Sequence, residues 1–72
     1  FIYGGILRHK ELIKARRRNG YMQKEVAQLV GISLRAYQKY ENEGQVPNTR
    51  TAIRIARVLG STVESLWGGN PE

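Results

Sequence analysis

Gln23-Lys-Glu-Val-Ala-Gln-Leu-Val-Gly-Ile-Ser-Leu-Arg-Ala-Tyr-Gln-Lys-Tyr-Glu-Asn42 is the stretch whose reading decides the fold. It predicts two short helices joined by one tight turn. Val26, Ala27 and Val30 recur at i, i+1 and i+4, which gives the first helix a single apolar face. Gly31 ends that helix, because the left-handed region costs glycine little and a β-carbon more. Ser33 then stands where an N-cap can accept a bond from an orphan backbone N–H. In the second helix Ala36, Tyr37 and Tyr40 form the expected inward stripe. Leu34, Arg35, Gln38, Lys39 and Asn42 are left on the other side.

Ala27 is small where the two helices would cross closely, and the whole reads as helix-turn-helix patterning. The outward side chains of the second helix suit the edges of bases. Arg35 carries a planar fork that can bond guanine O6 and N7, and Gln38 can do the equivalent on adenine. Leu34 suits a thymine methyl, and Lys39 can reach a base or a phosphate. The same residues would also stand on the solvated face of a plain αα-hairpin. Gln23 opens the first helix, so its amide sits beside unpaired N–H groups where a phosphate is favoured. Met22 is a poor N-cap, a deficit of about 1 kcal/mol. Glu25 in the first turn offsets part of it through the helix dipole.

Seventy-two residues allow one domain, too small to enclose a catalytic cavity easily, since such a chain buries only about 60% of its extended surface. Twelve Lys and Arg against six Asp and Glu give a net charge of +6, which attracts polyanions. There is no cysteine, so neither a disulfide nor a thiolate metal site is expected, in keeping with a reducing cytoplasm. His9 is the only histidine, which leaves no zinc cluster, and it is expected on the surface. No apolar run reaches the ~18 residues of a membrane span, and no signal-peptide pattern is present. No nucleophile, base and oxyanion constellation is visible, so we expect neither an enzyme nor a cofactor. The start at Phe1 is compatible with a piece of a longer protein.

Taken in order, residues 1–6 are apolar and broken by Gly4 and Gly5, a brief strand, an arm or a frayed end. Residues 7–67 carry the domain, and 68–72 are expected as a tail. A first helix is predicted from about Leu7 to Asn19, with Leu12, Ala15 and Arg16 on one side, Ile13 adjacent, and Gly20 closing it. Arg16, Arg17 and Arg18 near its end suit the macrodipole as well as a phosphate. Gly44 and Pro47 mark a loop from Asn42 to Asn48. A helix from about Arg50 to Leu59, capped by Thr49 or Asn48, is expected to bury Ala52, Ile53, Ile55, Ala56 and Leu59. It would turn Arg50, Arg54 and Arg57 outward. Thr62 should cap a last short helix, Val63 to Trp67. The architecture expected is an all-α bundle of five short helices.

From Leu12 to Trp67 the chain resembles the lambda-repressor-like, Cro/CI or Xre-type helix-turn-helix domains. The matching pieces are Arg16-Arg-Arg-Asn-Gly-Tyr-Met-Gln23, the Ala27 and Gly31 pair, Ser33 to Glu41, Pro47, and Ile53-Arg-Ile-Ala-Arg-Val-Leu-Gly60 leading to Val63-Glu-Ser-Leu66. The resemblance implies a transcriptional regulator of bacterial or phage origin, cytoplasmic and nucleoid-associated. It implies that Gln23 clamps a DNA phosphate. Ser33, Leu34, Arg35, Gln38, Lys39 and Asn42 would lie on or beside the major groove of double-stranded DNA. Arg16 and Glu41 match a buried ion pair, and Tyr37 and Tyr40 match core positions usually held by Ile or Leu. A homodimer through Ser61 to Trp67, with Val63, Leu66 and Trp67 as apolar contacts, is also implied. So is repression by operator occupancy. The alternative is an antitoxin or coactivator-type protein-interaction module, with a toxin or an anti-repressor as partner, or an accessory DNA-binding domain of a larger protein. Met22 departs from the usual Ser or Thr, Gly44 falls one residue late, and Ser61 stands where Val is usual.

Overall fold

Among the described residues the apolar stripes converge on one core made by five helices. The computed structural model describes residues 9–68. The helices are α1 (Lys10–Arg18), α2 (Gln23–Val30), α3 (Leu34–Asn42), α4 (Thr49–Val58) and α5 (Glu64–Gly68), the last wound with the wider π spacing. The expected arm over residues 1–6, the start of a helix at Leu7, and all of the tail but Gly68 lie outside the described residues. No helix among the described residues is long and apolar enough to cross a membrane.

α2 sits between α3 and α4, while α1 packs on α3 and α5. The core joins Leu12 and Ala15 of α1 to Val26, Ala27 and Val30 of α2. Tyr37, Ile55, Ala56, Leu59 and Leu66 complete it. Each fully buried Leu or Ile here stabilises the fold by about 1.5–3 kcal/mol relative to exposure. The end of α1 is tied to the end of α4 by a side chain: Asn19 Nδ2 donates to Ala15 O and to Leu59 O, both at 2.8 Å.

Each helix start has a local cause. Ser33 Oγ accepts from Ala36 N at 3.0 Å, Asn48 Oδ1 from Thr51 N at 2.9 Å, and Thr62 Oγ1 from Ser65 N at 3.0 Å. Met22 offers no such bond. There Glu25 Oε1 reaches back to accept from Met22 N at 2.7 Å, the reciprocal half of a capping box. Glu25 therefore acts through a hydrogen bond as well as through the dipole.

Gly31 leaves α2 with φ at +86°, and a β-carbon built there would meet nothing within 4 Å. The cost of a side chain is thus backbone strain alone. Gly31→Ala should destabilise the fold by about 1–2 kcal/mol, read as a lowered melting temperature, with α2 and α3 otherwise unchanged. A larger loss would mean that the turn itself had rearranged.

Four expectations need correction. Ile53 is 40% exposed rather than buried, because it lies about 100° around α4 from the stripe of Ala52, Ile55, Ala56 and Leu59 that meets α2. Tyr40 is only half-buried, whereas Tyr37 is fully enclosed. Leu66, expected at a dimer contact, is 4% exposed and belongs to the core of its own chain. It has almost no surface left for a second copy.

His9 is the fourth correction: it is half-buried and works as the N-cap of α1. Its Nδ1 accepts from Leu12 N at 3.2 Å, its own N–H donates to Glu41 O at 2.8 Å, and its ring meets the Trp67 ring edge-on at 5.7 Å. Burial lowers its pKa below 6.5, outweighing the backbone bonds and the charges of Glu11 and Glu41, which raise it. The unfolded chain therefore binds the proton more readily than the folded one. The cap's stabilisation is full above the ordinary histidine pKa and is lost as pH falls through the lower folded value. Melting between pH 8 and 5 should show this loss in the parent. His9→Asn, a good cap that does not titrate, should be flat over that window; a parallel decline in both would remove His9 as the cause.

Candidate nucleic-acid interface

At the centre of the helix-turn-helix lies a buried carboxylate. Glu41, on the last turn of α3, is 1% exposed and accepts from three other side chains. Arg16 of α1 grips it with two nitrogens, Nε to Oε2 at 2.6 Å and Nη2 to Oε1 at 3.2 Å. Tyr37 Oη donates to Oε2 at 2.6 Å, and Gln23 Nε2 donates to Oε1 at 2.9 Å. The third Arg16 nitrogen, Nη1, donates to Tyr21 O at 2.9 Å, so the guanidinium also holds the turn between α1 and α2.

The charges follow from this geometry. Burial by itself would raise the Glu41 pKa, but hydrogen bonds from Arg16, Tyr37 and Gln23 outweigh it and hold the carboxyl below its usual range. The bond to Glu41 holds the Arg16 guanidinium more firmly protonated against its own burial. Burial, and then donation to the carboxylate, push the Tyr37 phenol well above its ordinary value. Glu41 is thus an acceptor only, and every group facing it must donate.

From this anchor the polar contacts run outward to the surface. Gln23 stands half-buried at the first position of α2, and its Oε1 accepts from Gln38 Nε2 of α3 at 3.3 Å. Leu34 precedes Gln38 by one turn on the same flank of α3. Arg35, Lys39 and Asn42 lie exposed beyond them, as does the cap Ser33, and Leu34 is 40% exposed. Arg35 and Lys39 make no salt bridge or side-chain hydrogen bond among the described residues. On the far flank Ser33, Arg35, Ala36, Lys39, Tyr40 and Gln45 line an open cleft of about 210 Å³.

A helix-turn-helix family model matches residues 12–66. The chain belongs to the lambda-repressor-like, Xre-type helix-turn-helix family. Over 60 residues it is 32% identical to the SPbeta prophage-derived uncharacterized HTH-type transcriptional regulator YonR of Bacillus subtilis (strain 168). That stretch is 83% of this chain and 56% of the other protein, so the chain spans little more than half the length of that relative.

In this helix-turn-helix, Arg16, Gln23, Gln38 and Glu41 are brought together, whereas Val63, Leu66 and Trp67 lie elsewhere, on and beside α5. Val63 and Trp67 are half-buried against the core, and Trp67 Nε1 is buried with no hydrogen-bond partner among the described residues. Sequence reasoning missed the hydroxyl of Tyr37 as a donor to Glu41. The signal was available: Tyr37 and Glu41 are four apart on one helix, within reach of each other. It also missed the Gln23–Gln38 contact, which depends on how closely α2 and α3 cross.

Proposed function

We propose that this domain is a sequence-specific reader of double-stranded DNA and acts as a transcriptional repressor by occupying its operator. What supports the reading most is the outer face of α3: Arg35 and Lys39 stand exposed, and no carboxylate among the described residues claims their donors. They sit on the helix that a helix-turn-helix lays into the major groove. Arg35 would bond guanine, Gln38 adenine, and Leu34 a thymine methyl. Lys39, Ser33 and Asn42 would contact bases or flanking phosphates. Gln23, at the start of α2, would hold a phosphate with its remaining amide hydrogen. The name of the prophage relative, a transcriptional regulator, agrees with this reading.

One module of this size reads about half a site, so a homodimer on a pseudo-palindrome is the natural form. With Leu66 enclosed, Val63 and the exposed part of Trp67 remain as its apolar contacts. Sedimentation of Trp67→Ala should show a shift toward monomer, and an unchanged dimer would remove Trp67 from the interface. Selection of bound duplexes from a random pool tests the function itself. A palindromic consensus is expected; a pool that stays random would overturn DNA reading and leave a protein partner as the domain's target.

A further inference from the structure

The amide contacts of the site have a direction, and that direction bears on which base is read. Glu41 is ionised and can only accept, so the Gln23 group facing it must be the NH2. The Gln23 carbonyl oxygen is thereby turned to the other side, where it too can only accept. The group that Gln38 turns toward it must then also be the NH2. This leaves Gln38 Oε1 free of any partner among the described residues.

We propose that Tyr37, Glu41 and Gln23 form a positioning relay for base reading, pinning the Gln38 amide so that its carbonyl oxygen is the atom offered to the base. The relay rests on the DNA-reading function proposed above. Its consequence is discrimination. A free glutamine can rotate its amide and serve either a donor or an acceptor on the base edge. A pinned one cannot. Adenine offers a donor at N6 and an acceptor at N7, which match the free oxygen and the remaining N–H of Gln38. Guanine offers O6 and N7, both acceptors, and would set O6 against the pinned oxygen. Gln23 thus helps to choose a base that it does not touch, in addition to holding a phosphate.

The relay has an anchored end and a loose end. Arg16 Nε and Tyr37 Oη both bind Oε2 at 2.6 Å, which leaves Oε1 to Gln23 and the longer Arg16 Nη2 bond. Replacing Gln23 therefore leaves each carboxylate oxygen with a donor, so Gln23→Met should fold.

The experiment uses the whole chain and duplexes derived from the selected operator. Gln38→Ala first locates the base pair, as the position where it erases an adenine-over-guanine preference of about tenfold. At that position Gln23→Met should reduce the preference at least about fivefold although Gln38 is intact, while preferences elsewhere stay as in the parent. A uniform weakening on every duplex, with the adenine-to-guanine ratio kept, would overturn the relay. So would the absence of any position where Gln38→Ala has this effect. Tyr37→Phe should lower the same ratio by a smaller factor; a folded Tyr37→Phe protein with the parent's ratio would remove Tyr37 from the relay. A second measurement needs no DNA. The Gln38 side-chain amide, followed by nitrogen-15 NMR, should be shifted and slowly exchanging in the parent and ordinary in Gln23→Met. Identical amides in both would sink the relay even if DNA is bound. If the parent selects no sequence while the amides behave as expected, the relay exists and the DNA-reading function is what fails.

Discussion

Glu41→Ala should be the most damaging single substitution in the polar part of this domain, costing about 3–5 kcal/mol. The loss comes less from the pair itself than from what it leaves behind. Arg16 Nε and Nη2, Tyr37 Oη and Gln23 Nε2 all lose their acceptor at once, and the guanidinium is mostly enclosed. Only Arg16 Nη1 keeps a partner, at Tyr21 O. A domain of this length has about 4–11 kcal/mol of stability in all, so the change takes a large part of it. Thermal unfolding should fall by more than about 12 °C. A variant melting within a degree or two of the parent would show that the carboxylate holds nothing together. The same carboxylate governs acid stability. Its folded pKa is depressed, so its contribution is complete above the ordinary glutamate value and is lost as pH falls through the folded one.

Arg35→Ala should have the largest effect on recognition and little on folding. Arg35 is exposed on α3 and makes no contact that the core depends on. If its fork reads guanine, the substitution removes about 1–3 kcal/mol per half-site on the preferred operator and much less on scrambled DNA. On a two-fold operator that is up to about 6 kcal/mol. Loss of a cation near the backbone should also flatten the salt dependence slightly. Binding of parent and variant to both duplexes at two salt concentrations measures these effects. Equal weakening on operator and scrambled duplex would make Arg35 a phosphate contact and pass the reading to Gln38 and Leu34.

The helices were legible in the sequence because each carries its own punctuation. Gly31 needs its positive φ, Ser33 and Thr62 supply cap oxygens, and Val26, Ala27 and Val30 share one face whatever lies opposite. Such signals act within four or five residues, where the chain's own geometry decides who meets whom. The order of helices and the family both follow from them. Ile53 shows the limit of apolar character alone: it counts toward the core by type, yet the helical period sets it about 100° from the buried stripe and leaves it in solvent.

What the sequence by itself determined is therefore local: where helices begin and end, which face of each is apolar, and which face of α3 is polar and cationic. Only the tertiary structure decided that Gln23 and Tyr37 join the Arg16–Glu41 pair that the family resemblance implies, that Gln23 and Gln38 meet, that His9 caps α1 beside Trp67, and that Leu66 belongs to the monomer's core. Gln23 and Gln38 are 15 residues apart, and Gln23 and Glu41 are 18 apart. Whether side chains so separated touch depends on the angle and distance at which helices cross, which the packing of the whole core sets. A hydrogen bond is made or lost within about half an ångström, a tolerance far finer than any pattern of residue types records.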